Sequence, residues 1–209
     1  MTEKSAALPQ SPREVWTTLV QGNERFVAGE LAHPNQNAAR RSSLTTSQHP
    51  MAVIFGCSDS RLAAEIIFDV GLGDIFVVRT AGQVIDDAVL GSLEYSVDVL
   101  QVPLIVVLGH DSCGAVTAAM ESADNATTPK GFVRSLVERI TPSVLAARRQ
   151  GLTTVNDTVE EHVKQTVARL SEHSRTIHDA IEDGSTAVVG VTYRLAEGRA
   201  DVVSSIGEL

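Results

Sequence analysis

Cys57 and Cys113 are the only cysteines among the 209 residues, and His110 lies three positions before the second. Each cysteine closely follows a short apolar run that meets a glycine. The first run is Met51-Ala52-Val53-Ile54-Phe55-Gly56-Cys57, and the second is Leu104 to Leu108 followed by Gly109-His110-Asp111-Ser112-Cys113-Gly114. Two thiols and an imidazole suit zinc, which in catalytic sites takes three protein ligands and a water. Two Cys with one His is one such set. Cysteine also packs as a small hydrophobe, and either thiol alone is open to that reading. The 55 residues between the cysteines do not forbid a disulfide, but that reading leaves His-x-x-Cys unused. Asp59 and Arg61, just after Cys57, weigh against plain packing, because an apolar contact needs neither charge.

The elements that must position these residues follow from the apolar pattern. Continuous apolar runs bounded by turn residues read as buried, parallel strands. This gives strands over Met51–Phe55, Asp74–Arg79, Leu104–Leu108 and Ser185–Tyr193. Cys57, His110 and Cys113 then fall on turns at the carboxyl ends of the first and third, where ligands collect in open α/β sheets. Ser11-Pro12-Arg13-Glu14 opens a helix with Ser at N-cap, Pro at N1 and Glu at N3. Its face is Val15, Trp16, Leu19, Val20, Phe26 and Val27, with Gly29 and Pro34 as stops. Further helices are expected over Ala63–Asp69, from Asp86 through Leu100, over Gly114–Ala123, over Phe132–Arg149 with a break at Pro142, and over Val155–Asp183. Glu197-Gly198 turns into an antiparallel edge strand, Ala200–Val203. Gly71-Leu72-Gly73 follows a helix, so it is a turn and no dinucleotide fingerprint. The alternation predicts an α/β fold: a mainly parallel central sheet with an antiparallel edge strand, flanked by helices. One domain, 1–209, is expected, with 1–10 disordered and 11–30 a helical arm that packs on a partner subunit.

Composition narrows the partners. Net charge is −9, which disfavours nucleic acid, whose backbone wants a basic face. No run approaches the ~18 apolar residues of a membrane span, so no membrane partner is expected. Met1–Gln10 has no apolar core and is not a secretory signal. Two cysteines without a signal fit a reducing, cytoplasmic location. The basic pair Arg40-Arg41 reads as solvated. So do His33 and His49 in polar loops, and His162, His173 and His178 in the charged C-terminal helical region.

Cys57-Ser58-Asp59-Ser60-Arg61 and His110-Asp111-Ser112-Cys113-Gly114, in that order and separated by a strand and a helix, resemble the signature of the β-class carbonic anhydrases. The likeness runs from about Trp16 to Tyr193. It implies one Zn²⁺ per subunit on Cys57, His110 and Cys113, and reversible hydration of carbon dioxide to bicarbonate and a proton by zinc-bound hydroxide. It implies that Asp59, paired with Arg61, orients the attacking group, and that Asp59 becomes a fourth metal ligand if the pair breaks. Gln48 matches a substrate-binding glutamine of the plant-like subclass. Phe76, Ala81 and Tyr95 match an apolar substrate pocket partly walled by a neighbouring subunit, and Gly114 opens a helix whose N-terminus faces the site. The family assembles as homodimers or homotetramers. A bacterial subclass binds a regulatory bicarbonate through Trp, Arg and Tyr. Arg79 and Tyr193 match it, but Ile54 stands at the Trp position, so that site is expected to be absent. Asp111 stands where the family often has Ser. A CS₂ or COS hydrolase of the same family, or a non-catalytic zinc-stabilised regulatory protein, would share the ligands. A zinc deaminase would need His-x-Glu and Pro-Cys-x-x-Cys, which are missing.

Overall fold

Three strands of this protein are apolar at nearly every position, and a sheet buried on both faces accounts for them. The computed structural model describes residues 11–209; the expectation for Met1–Gln10 lies outside the described residues. Five strands form one sheet in the order β2-β1-β3-β4-β5. They are β1 (Ala52–Cys57), β2 (Ile75–Thr80), β3 (Leu104–His110), β4 (Ala187–Arg194) and β5 (Arg199–Ile206). The first four pair in parallel, and β5 runs antiparallel to β4 along one edge. The expected architecture is therefore the observed one. Every residue of β1 and β3 is buried.

The strand order fixes where a site can form. From β1 the chain crosses to β2 on one side, then returns to β3 on the other. The connections leaving β1 and β3 therefore diverge and open a crevice at the carboxyl ends of these two strands. Both strands run further than their apolar cores suggest. Cys57 is the last residue of β1 and pairs with Thr80; His110 is the last residue of β3 and pairs with Tyr193. Two ligand candidates are thus held by strand hydrogen bonds, not by loose turns.

Helices α1 (Pro12–Ala28), α2 (Ala38–Ser43), α3 (Ala64–Ile67), α4 (Asp87–Glu94), α5 (Gly114–Asn125), α6 (Val133–Arg149), α7 (Val155–His173) and α8 (Arg175–Glu182) surround the sheet. In α1, Ser11 and Glu14 form the expected capping box and Gly29 ends the helix with φ 72°. The inner stripe of this arm is seated on its own chain. Val15 and Leu19 are fully buried, and Asn23 donates to Ile67 O and Gly198 O and accepts from Ala200 N. The outer stripe stays uncovered within the chain: Val27 is exposed and Trp16 and Val20 are half-buried.

Three local expectations change. Pro142 breaks nothing: α6 runs through it. The long C-terminal helix divides at Ser174, whose side chain caps α8 by accepting from Ile177 N. The helix after Asp86 ends as a widened turn over Tyr95–Val99. The most buttressed helix is α7, which lies over glycines of two adjacent strands. Val163 occupies the space that side chains at Gly109 and Gly190 would take.

Candidate metal centre

Cys57 from the end of β1, His110 from the end of β3 and Cys113 at the N-cap of α5 meet in the crevice. All three are buried, and their Sγ, Nε2 or Nδ1 and Sγ atoms lie within 4.8 Å of one another. Zinc in a tetrahedral set holds such donors about 3.5–3.8 Å apart at the usual bond lengths, so a small inward movement completes the geometry. The imidazole is already oriented for it. His110 Nδ1 lies 2.8 Å from Asp111 O, and a carbonyl only accepts, so Nδ1 carries the proton and Nε2 presents its lone pair. That Nε2 is buried with no hydrogen-bond partner. A buried lone pair in an anionic thiol cluster fits a cation.

The sulfur atoms share charge. The Cys57 thiol is pulled down to about 4, first by the hydrogen bond from Cys113, with His110 and the N–H groups of Gly82 and Asp59 adding to it against burial. The Cys113 thiol is pushed up, by its hydrogen bond to Cys57 and then by burial. The pair therefore holds one proton, which a metal would displace. Gly82 N donates to Cys57 Sγ at 3.2 Å. The N–H groups of Val116 and Ala115, at the start of α5, oppose the rise at the Cys113 thiol. Gly114 opens α5 directly after Cys113 at its N-cap.

Asp59 and Arg61 form the expected pair. Arg61 Nε and Nη2 donate to Oδ1 and Oδ2 of Asp59 at 2.9 and 2.7 Å, and the Arg61 N–H adds a third bond at 2.9 Å. The guanidinium holds the Asp59 carboxyl well below the usual carboxylate range. Asp59 Oδ2 stands 3.8 Å from His110 Nε2, so the carboxylate borders the space in front of the three donors. Arg61 Nη2 also reaches Ser112 O at 3.4 Å, linking the two ligand turns. Arg79 clamps the Cys57–Asp59 segment through Cys57 O and Asp59 O, at 2.9 and 2.7 Å. Asp111 sends its carboxylate away from the metal cluster, accepting from Leu195 N at the end of β4.

The residues expected to meet substrate divide. Ala81 lies in the turn Ala81–Gln83, beside the Gly82 that binds Cys57. Phe76 and Tyr95 pair with each other, ring centroids 6.3 Å apart, and Tyr95 is largely exposed. Gln48 is exposed and lines a surface cleft with Arg41, Leu44, Thr46, Ser47, Leu72 and Gly73. Within one chain, that cleft contains none of the three metal-ligand candidates.

Gly82 and His162 had no place in the sequence reading of the site. His162 is a correction: the expected solvated histidine is 2 % exposed. It faces Gly82 O and Ser143 Oγ, because α7 turns the 159, 162, 163, 166 stripe inward against α6 and the sheet. That spacing from Val159 and Val163 was the available signal.

The carbonic anhydrase family model matches residues 52–200. "Carbonic anhydrase" of Mycolicibacterium smegmatis is 56% identical over 203 residues, covering 97% of this chain and 98% of the relative. "Carbonic anhydrase 2" of Mycobacterium tuberculosis is 58% identical over 201 residues, covering 95% and 97%. Among solved structures, the Coccomyxa β-carbonic anhydrase in complex with acetazolamide superposes with a TM-score of 0.68 at 26% identity, over 79% of this chain and 77% of that one. A tetrameric β-carbonic anhydrase of Sordaria macrospora shares the fold, with a TM-score of 0.72 at 22% identity over 92% and 98%.

Proposed function

This chain belongs to the β-carbonic anhydrase family and is a zinc lyase that interconverts carbon dioxide with bicarbonate and a proton; from that premise we propose which of its residues do the work. Cys57, His110 and Cys113 hold the zinc, one ion per subunit. Bound there, the metal supplies the Lewis acidity that gives water a nucleophilic form near neutral pH. The observation that carries this reading is the buried, partnerless His110 Nε2 beside two thiols and facing the Asp59–Arg61 pair.

The protein's own groups then have distinct tasks. Asp111 O fixes the His110 tautomer. Gly82 N–H steadies the Cys57 sulfur. Asp59, ionised against Arg61, accepts a hydrogen bond from the attacking oxygen and orients it towards the carbon of CO₂. Its two oxygens are held by Arg61, which would keep it off a bound zinc; released from Arg61, it would serve as a further ligand. Ala81 supplies apolar wall. Phe76, Tyr95 and Gln48 complete the pocket across a subunit boundary, which supports a homodimer or homotetramer. Gln48 also favours the plant-like subclass. Arg79 is engaged with the Cys57–Asp59 backbone and Ile54 is a core residue; both support the absence of the regulatory bicarbonate site. Among the described residues no helix is long and apolar enough to cross a membrane, and a cytoplasmic location remains our reading.

The test is stopped-flow CO₂ hydration between about pH 6.5 and 9 with zinc content on the same samples. Wild type is expected to carry one zinc per chain with turnover rising with pH, and Cys113→Ser to lose both. Full zinc retention by that variant refutes the ligand assignment.

A further inference from the structure

The Cys57 sulfur is steadied from the protein interior by a chain of groups that reaches no substrate. We propose that His162 is a positioning residue for the Cys57 ligand, acting through Gly82. The inference rests on the reading that Cys57 holds zinc. Ser143 Oγ lies 2.9 Å from His162 Nδ1, His162 Nε2 lies 2.9 Å from Gly82 O, and Gly82 N lies 3.2 Å from Cys57 Sγ. The Gly82 carbonyl only accepts, so Nε2 carries the ring proton. Burial holds the imidazole neutral, drawing its pKa down to about 4, so Nδ1 is the ring acceptor facing the Ser143 hydroxyl, which also lies 3.0 Å from Gln165 Oε1.

The two Gly82 bonds lie on the peptides either side of its Cα, so the imidazole fixes the orientation of the residue as a whole. Gly82 needs such an anchor. Its φ is +68°, and a Cβ there would stand 2.8 Å from Ala115 Cβ and 2.9 Å from Ile140 Cδ1. Only glycine fits, and glycine has the widest backbone freedom. Packing alone explains the histidine poorly. His162 sits on the stripe of Val159, Val163 and Val167, all fully buried, where an aliphatic side chain would fill the space without desolvating two ring nitrogens. One of its two bonds goes to Ser143, whose hydroxyl also faces Gln165 Oε1; the other goes to Gly82, whose N–H faces a metal-ligand candidate.

The test is zinc release from purified holoenzyme to a chromophoric chelator, with the melting temperature measured on the same samples. His162→Leu removes the donor at similar volume; His162→Gln returns an amide N–H at similar reach. Zinc release about tenfold or more faster is expected for His162→Leu, with His162→Gln within about threefold of wild type. Wild-type release from His162→Leu, or equal release from the Leu and Gln variants, overturns the proposal. Should His162→Leu not fold, Ser143→Ala frees the tautomer with the ring in place. Faster release is expected from it, and an unchanged rate overturns the proposal. Wild type without zinc would instead refute the metal assignment itself, so the two failures are distinct.

Discussion

Gly109→Ala is the perturbation whose cost follows most directly from the packing. Gly109 precedes the ligand candidate His110 and pairs with Thr192 in β4. An added Cβ would meet Val163 Cγ2 closer than real carbon atoms approach, with Val159 Cγ1 and Gln83 Nε2 each at 3.4 Å. Ordinary carbon contacts lie near 3.5–4.0 Å, so α7 or β3 must give by roughly an ångström. Overpacking of this kind costs about 1–3 kcal/mol. Lower chain entropy in the unfolded state returns about 0.4–1 kcal/mol, leaving a net loss of about 1–2 kcal/mol. Val163→Ala alone removes two methyl groups and opens a cavity, at about 2 kcal/mol. In the double variant the new methyl moves into the space Val163 vacates. Its loss is expected to fall below the sum of the singles by about 2 kcal/mol, read by urea unfolding of all four proteins. Additivity within about 0.5 kcal/mol would refute the contact as the cause.

Two further outcomes are expected. Arg61→Gln withdraws the guanidinium that holds Asp59 clear of the metal cluster, so CO₂ hydration near pH 7.5 should fall about 10–100-fold with zinc retained; unchanged turnover would remove Arg61 from the mechanism. His162 has its pKa lowered from 6.5 to about 4 by burial, so the unfolded chain binds a proton that the folded chain refuses. Its stability contribution is whole above pH 6.5 and is lost as pH falls towards 4. The unfolding free energy of wild type relative to His162→Gln should therefore drop by about 2 kcal/mol between pH 7 and pH 5, and a pH-independent difference would contradict the buried neutral ring.

The parallel sheet and the candidate ligand triad were legible because both leave local marks. A strand buried on both faces is apolar at consecutive positions, as in Leu104–Leu108, and a metal site needs specific atoms, which only two cysteines and few histidines supply. Asp59 and Arg61 were legible for the same reason, being charges two and four residues past a ligand. What escaped depends on distant partners. His162 stands among Glu160, Glu161 and Lys164, and charge suggested solvent. Its inward turn is set by α6 across 19 residues, through Ser143. Gly82 is an unremarkable glycine until the chain returns it to Cys57, 25 positions away. Pro142 looked like a helix end because interior proline removes a backbone hydrogen bond, yet Ile140, Val144 and Ala147 are fully buried on α6, and that packing carries the helix past it. Gln48 shows the opposite limit: it lines an exposed cleft that contains none of Cys57, His110 and Cys113, so nothing within one chain marks it as a substrate group.

The position of β3 has a consequence for motion. It is the central strand, paired on both sides and buried along its length, so its amides should exchange with solvent only when the whole molecule opens. His110 is fixed to that most protected strand. Asp59 and Arg61 lie beyond the end of β1, partly open to water, where opening requires only local fluctuation. The two sides of the centre thus sit at opposite ends of the protein's scale of local stability. The strand that carries His110 moves only with global unfolding, whereas the Asp59 carboxylate can rearrange by local fluctuation within the life of one folded molecule.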